Sequence, residues 1–520
     1  MLLESQDTDS YIDLDVKEEG LTRRPFMKKL LIGLGIFALV SVITIGIVMI
    51  PKTNVQKTLF SSHSQANGPR TYIPLDIWNF TKDIKDVGTG AVFTIDKPHL
   101  WNGRADPFLY TAYVEVFIGS EVSDIISHDF GFRTMAISRE GFFLNDEKVR
   151  LNGVNRHQDR QDKGWAVSSE NEIEDFDLIY EMGANAIRLA HYQQNESVFE
   201  ICNRKGFIVW VEVPFIQRFM NTRKSTDNIM NQYIELIKQN FNHPCIAMWG
   251  TMNELAFDGH ESEELTAVSN MSLIAHVLDP TRLTTGAITP NFKSTDELPN
   301  IPDVNGWNFY YGWYYGEISD VSSVIDNLLK EVSFHPMSIS EYGADANIKY
   351  HSENPKAKDY SEEYQTLLHM KTYEIFLTKK IWGTFIWNMF EFAVDSRDEG
   401  GVKGRNNKGM VTYDRKIKKD AYYYYIAMWS EDPFVYVSGK RFHDRAVDNI
   451  KFYVFSNQKD LKVYLNDEII ATETNFTNYK EYSVTLNKGV NIVKTISGDL
   501  EDSSEFERVT KENPSYRCPN

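Results

Sequence analysis

The chain has 520 residues but only three cysteines, Cys202, Cys245 and Cys518. They form no Cys-x-x-Cys pair and no Cys/His cluster, so a structural zinc site is not expected, and an odd count gives no disulfide framework. Cys245 lies inside an apolar strand pattern and reads as a small core residue rather than a nucleophile. Positive charge is also scarce. Lys and Arg number 55 against 73 Asp and Glu, a net charge of −18. Phosphate backbones need clustered cations, so nucleic acid is not the expected partner. The balance suits a neutral substrate without selecting one. Also missing is a Gly-rich phosphate loop after the first strand of the α/β region, which a doubly wound nucleotide-binding sheet would carry.

Apolar and aromatic residues are plentiful. Hydrophobic residues make up 42% of the chain, enough at this length for two to four domains and one large core. The 10 Trp, 27 Tyr and 31 Phe fit either a stacking surface or a ring-rich core. Leu30 to Ile50 is an uncharged apolar run closed by Pro51. About 20 such residues span a bilayer as a helix. Arg23, Arg24, Lys28 and Lys29 precede it, and only Lys52 and Lys57 follow closely. The positive-inside rule then predicts a single-pass type II anchor with a lumenal or extracellular body. A signal peptide is the rival, but its apolar core is usually about 7–15 residues. Sequons at Asn79, Asn195, Asn270 and Asn475 are compatible with that body, and chance alone would supply as many.

Periodicity divides the rest. Residues 1–29 read as a cytosolic tail, 30–50 as the transmembrane anchor and 51–71 as a polar linker. Residues 72–138 alternate in short strands, as in Ala91–Ile95 and Tyr110–Phe117, and read as a partial β-sandwich. From 139 to 430 strands alternate with helices. The predicted strands are Val149–Asn155, Ala184–Ala190, Ile208–Val213, Ile246–Thr251, Leu283–Ile288, Val304–Tyr310, Met337–Ser340 and Gly383–Asn388. Helices are expected over Asn228–Phe241 and Glu362–Thr378. Eight strand–helix units predict a (β/α)₈ TIM barrel, an α/β fold. Residues 431–500 return to strands and read as a second sandwich, and 501–520 as a frayed tail.

In such a barrel, active-site groups sit at the C-terminal strand ends. Those ends carry Asn155-Arg156-His157, Arg188 and His191, Glu212, Asn253-Glu254, Asn308-Phe309-Tyr310, Glu341-Tyr342 and Trp387-Asn388. Glu212 is as well explained by pairing with a nearby Arg, His157 and His191 by ordinary rim histidines, and Trp387 by core packing. Tyr310 belongs to the aromatic stretch 307–315, most of which packing would explain. Glu254 and Glu341 stand apart. Each ends an apolar strand-like run, Cys245–Asn253 or Met337–Ser340, and a turn or helix start follows. Two carboxylates held at one rim are what glycoside hydrolysis needs, one as proton donor and one as nucleophile.

The entry segment Val149–His157, the run Asn242-His243-Pro244 to Asn253-Glu254, the segment Ser340-Glu341-Tyr342-Gly343 and the loop around Asn406-Asn407-Lys408-Gly409 together resemble glycoside hydrolase family 2, the β-galactosidase and β-glucuronidase family. The similarity runs from about Leu75 to Ser497. The resemblance implies immunoglobulin-like sandwiches flanking the barrel and retention of configuration, with the carboxylates about 5–5.5 Å apart. It implies Glu254 as acid/base and Glu341 as nucleophile. Tyr310 would donate to Glu341, Arg188 would be the nearby cation, and Asn253 would hold the sugar 2-hydroxyl. His157, His191 and Trp387 would bind or stack on the sugar. Family members usually begin with a jelly-roll sugar-binding domain, which is expected to be lacking here. Some bind Mg²⁺ just after strand three, but Val213–Arg218 offers neither Glu nor His, so no metal and no cofactor are expected.

Asn406 and Lys408 resemble the Asn-x-Lys pair that meets the sugar carboxylate in β-glucuronidases. Because the nearer β-galactosidases share that pair, a terminal β-D-galactoside is the first expectation and a β-glucuronide the second. A catalytically inactive, membrane-tethered carbohydrate-binding protein is the reading from another class. Oligomeric state is not legible in the sequence.

Overall fold

In the computed structural model of the protein, residues 44–51 and 95–519 are described, apart from 256–260, 291, 294–295 and 332–334. Eight strands close into a parallel barrel: β1 (Leu151–Arg156), β2 (Ala186–Leu189), β3 (Ile208–Glu212), β4 (Ile246–Asn253), β5 (Leu283–Ile288), β6 (Val304–Asn308), β7 (Met337–Tyr342) and β8 (Gly383–Ile386). Closure brings β8 against β1, with Gly383 opposite Leu151 and Ile386 opposite Val154. Every residue of β2, β3, β4, β6, β7 and β8 is buried. Such strands are covered on both faces, and this is why β3 and the start of β4 read as continuous apolar runs.

The helices are α1 (Ser169–Glu181), α2 (Glu196–Lys205), α3 (Arg223–Asn240), α4 (Glu261–Leu278), α5 (Val321–Glu331), α6 (Glu362–Leu377) and α7 (Asp420–Trp429). The apolar face of α3 buries Ile229, Tyr233, Leu236 and Ile237, and Thr222 caps it by accepting the Ser225 N–H. Ser361 caps α6 in the same way through the Tyr364 N–H. Among the described residues, the β5–β6 connection holds only the 3₁₀ turn Leu298–Asn300. Pro299 and Pro302 lack the N–H groups that a longer helix there would use.

Two expectations are corrected. The run Leu30–Ile50 was expected to be a membrane-spanning helix, but its last residues belong to the strand Thr44–Pro51, which pairs antiparallel with Tyr110–Ile118. Residues 30–43 lie outside the described part of the chain. No helix among the described residues is long and apolar enough to cross a membrane.

The second correction concerns the tail at 501–520. Leu500–Arg508 is a nine-residue strand paired along its length with Gly489–Ser497. Exposed Glu501, Ser503 and Glu505 alternate with Ser504 and Phe506, which are buried. The charges lie on the solvent face of a strand, which made the segment look frayed. It belongs to a five-stranded sheet facing the three-stranded sheet of Val435–Val437, Asn449–Ser456 and Asn478–Thr485. Phe452, Val454, Val463, Val493 and Phe506 fill the core between them.

Candidate active site

The barrel gathers its polar groups where the strands end. Arg188, on β2, is fully buried and makes polar contacts with five side chains. Its guanidinium donates to both oxygens of Glu212 at 2.9 and 3.1 Å and to Glu341 Oε1 at 2.7 Å. It also donates to Asn253 Oδ1 at 2.7 Å and Asn155 Oδ1 at 3.1 Å, and lies 3.1 Å from His191 Nδ1. A planar fork of fixed donors suits this position better than the single ammonium of Lys. Glu212 closes the cluster on the far side, 2.5 Å from His191 Nδ1. Burial works against its charge, but Arg188 and His191 outweigh it and hold the carboxyl below its ordinary pKa.

Glu341, at the end of β7, also accepts the Tyr310 hydroxyl on Oε2 at 2.7 Å. Burial pushes its pKa up, Arg188 pulls it back, and the charge of Glu254 adds to the rise. Burial, with Glu341 and Glu254 nearby, raises the Tyr310 phenol well above its usual range, so this hydroxyl stays a donor. Glu254 follows β4 in a left-handed conformation, φ +51°. Such a conformation costs a non-glycine residue about 1–3 kcal/mol and is found most often at functional sites. Asn308 Nδ2 donates to Glu254 Oε1 at 2.8 Å, and Ser340 Oγ holds the other end of that amide at 2.7 Å. Asn308 thus ties the ends of β4, β6 and β7 together. Gly343 lets β7 approach β8: its φ is +154°, and a Cβ there would lie 2.5 Å from the Trp387 carbonyl oxygen.

An aromatic group borders the carboxylates. The rings of His191 and Trp387 stack at 5.0 Å, and His157 meets each edge-on at 5.4 Å. Burial and the neighbouring His191, Arg188 and Arg156 charges hold His157 well below the usual histidine pKa. It is neutral at pH 7. Further round, Lys408 Nζ pairs with Asp345 and donates to the Tyr314 hydroxyl at 2.5 Å. Arg397 donates to the same hydroxyl at 2.7 Å and lies 3.5 Å from Asp345. Lys358 stands 4.2 Å above the Tyr314 ring. Asn406 accepts the Lys408 N–H at 3.0 Å, which shapes the loop.

The structure thus brings Glu254, Glu341, Arg188, Asn253, Tyr310 and His191 into one hydrogen-bonded cluster. His157 and Trp387 pack against it, and Lys408, on the loop shaped by Asn406, belongs to a neighbouring cluster with Arg397 and Lys358. Glu212 is the Arg partner that its alternative reading named. Sequence reading missed the roles of Asn308, Asp345, Tyr314 and Arg397. Only Asn308 carried a signal, its place at a strand end. Among the described residues, the three-residue group suited to a metal is His443, Asp444 and Glu507, in the C-terminal sandwich rather than at this rim.

The fold and this rim define a barrel of the glycoside hydrolase class. The chain belongs to glycosyl hydrolases family 2: the model of that family's TIM barrel domain matches residues 135–430, and a second model of the family matches residues 54–133. A β-glucuronidase of Bacteroides fragilis is 34% identical over 417 residues, 77% of this chain and 59% of that protein. The chain spans about half the length of other curated relatives it matches. Among solved structures, an FMN-binding β-glucuronidase from Facaelibacterium prausnitzii is 34% identical with a TM-score of 0.81, covering 92% of this chain and 71% of that one. A candidate β-galactosidase from Bacteroides fragilis is 32% identical with a TM-score of 0.80, covering 91% and 70%.

Proposed function

We propose that the protein is a retaining exo-glycosidase acting on terminal β-D-glucuronides. The observation that carries this reading is the cluster of cations beside Tyr310, which donates to Glu341. Lys408, Arg397 and Lys358 stand around Asp345 and Tyr314, with Glu399 as the second acid, 2.7 Å from Arg397. Three cations against two carboxylates leave a positive balance, which suits a uronate and is wasted on a neutral galactose. The names of the relatives support the same choice.

In the first step Glu341 attacks the anomeric carbon and the glycosidic C–O bond breaks. Glu254 gives its proton to the departing oxygen. In the second step Glu254 takes a proton from water, the water oxygen attacks the same carbon, and the bond to Glu341 breaks. Arg188 and Tyr310 each donate to the ionised form of Glu341, so they orient it as nucleophile and stabilise it as leaving group. Asn253 spends its carbonyl on Arg188 and Asn308. Its NH₂ is then the end that a sugar 2-hydroxyl would meet.

The test compares hydrolysis of 4-nitrophenyl β-D-glucuronide and β-D-galactoside, with the Glu341→Gln protein as blank. The expected result is a kcat/KM ratio above about tenfold in favour of the glucuronide. A galactoside preference would return the substrate assignment to the sequence expectation. Background turnover on both would support a sugar-binding protein without catalysis.

A further inference from the structure

Trp165 is 62% exposed, unusual for the largest apolar side chain. It sits in the loop after β1, on the same end of the barrel as the carboxylates. Its ring stacks on Tyr192, from the loop after β2, with centroids 4.4 Å apart and planes 26° apart. Tyr192 is fixed in turn. Its hydroxyl accepts the Gln158 N–H at 3.0 Å and lies 3.3 Å from His157 Nδ1. His157 packs on His191 and Trp387, and His191 meets Arg188, which donates to Glu341. An unbroken line of rings therefore runs from the catalytic cluster to an exposed indole.

The loop that presents Trp165 is built to hold still. Arg160 and Gly164 exchange backbone hydrogen bonds at 3.1 and 2.9 Å. Lys163 donates to Asn171 on α1 at 2.7 Å, and Arg160 pairs with Glu174 on the same helix. The Tyr413 hydroxyl donates to Asp159 at 2.7 Å. One face of the indole is covered by Tyr192 and the ring remains largely open to solvent. A fixed, exposed aromatic face is a surface for stacking a second flat ring.

We infer that Trp165, carried on Tyr192, is the platform for the leaving group and selects glycosides whose aglycone is an aromatic ring. This rests on the proposed glycosidase reading, which supplies the bond that joins sugar to aglycone. The aglycone departs in the first step, so contacts to it act on binding and on that step and are absent from the hydrolysis of the glycosyl-enzyme.

The experiment measures kcat and KM for wild type and Trp165→Ala on 4-nitrophenyl and methyl β-D-glucuronide, with a β-glucuronyl disaccharide as third substrate. The expected result is a rise of about 5- to 10-fold in KM for the aryl substrate, with kcat changed less than about twofold. The methyl glycoside, which has no ring to stack, should shift less than about twofold. Equal changes on both overturn the platform. A selective loss on the disaccharide alone overturns the aromatic assignment. Absence of turnover by wild type is failure of the proposed function instead. Calorimetric titration of Glu341→Gln and of Glu341→Gln/Trp165→Ala with the same aryl and methyl glycosides needs no turnover. It should show the same selective loss for the aryl compound, and equal affinities would sink the inference.

Discussion

Arg188 is the most connected side chain of the site, and Arg188→Met tests how that site is held together. Methionine of similar length keeps much of the volume and removes the charge. Glu212 would lose two hydrogen bonds and its main counter-charge, and Glu341 would lose one. Neither carboxylate is left bare, because Glu212 keeps His191 and Glu341 keeps Tyr310. The cost is therefore that of one broken buried pair, about 3–5 kcal/mol, rather than of two. In a barrel of this size, at roughly 2 °C per kcal/mol, that is a fall in Tm of about 6–10 °C. The loss must also depend on pH. Glu212 has a folded pKa below its unfolded value, so its stabilisation is present above the unfolded carboxylate pKa and fades as pH falls through the folded one. Without Arg188, burial dominates and both carboxyls are raised, so the penalty applies where they are ionised and vanishes where they are protonated. Melting curves should show the full difference between variant and wild type at pH 7.5 and a much smaller one at pH 4.5. A difference below about 2 °C at pH 7.5, or one equal at both pH values, would refute the electrostatic account of this cluster.

Other outcomes follow from the same geometry. Glu254→Gln leaves no proton for the departing oxygen, so the basic limb of the kcat/KM profile on an activated aryl glucuronide, set by loss of that proton, should disappear; a retained basic limb contradicts its role as the acid. The same variant should lose about 10²–10⁴-fold on a substrate with a poor leaving group, where proton donation matters most. Lys408→Gln should lower kcat/KM on the glucuronide by about 10- to 150-fold, the worth of one charge-assisted hydrogen bond, with the galactoside as internal control. Gly343→Ala places a Cβ against the Trp387 carbonyl and should cost more than about 1 kcal/mol in a urea titration. Ending the chain at Asp499 removes a strand that carries buried Phe506, and the truncated protein should expose enough sandwich core to bind a hydrophobic dye.

The barrel was legible because its strands are buried on both faces. Stretches such as Ile208–Val211 and Ile246–Trp249 are apolar throughout, and Gly and Pro mark the joints between them. The rim carboxylates were legible for the same reason: Glu254 and Glu341 interrupt such runs at their ends. Local pattern failed where one composition serves two environments. An apolar stretch such as Thr-Ile-Gly-Ile-Val-Met-Ile suits a bilayer or a sheet, and pairing with Tyr110–Ile118 places these residues in a strand. The strand Leu500–Arg508 looked like a charged tail because half its side chains face water.

By itself, then, the sequence determined the alternation of strands and helices, the strand ends that bear acids, and the resemblance those segments carry. These are local properties, set by periodicity and by the residue at each run's end. Tertiary structure alone decided which groups meet. Arg188 reaches Glu341 across 153 positions of chain, and Lys408 reaches Asp345 across 63. No spacing rule encodes such contacts, because they exist only once the barrel closes and brings its strand ends to one rim. Closure is also what sets the charge balance around Lys408, and with it the reading of the substrate as a uronide.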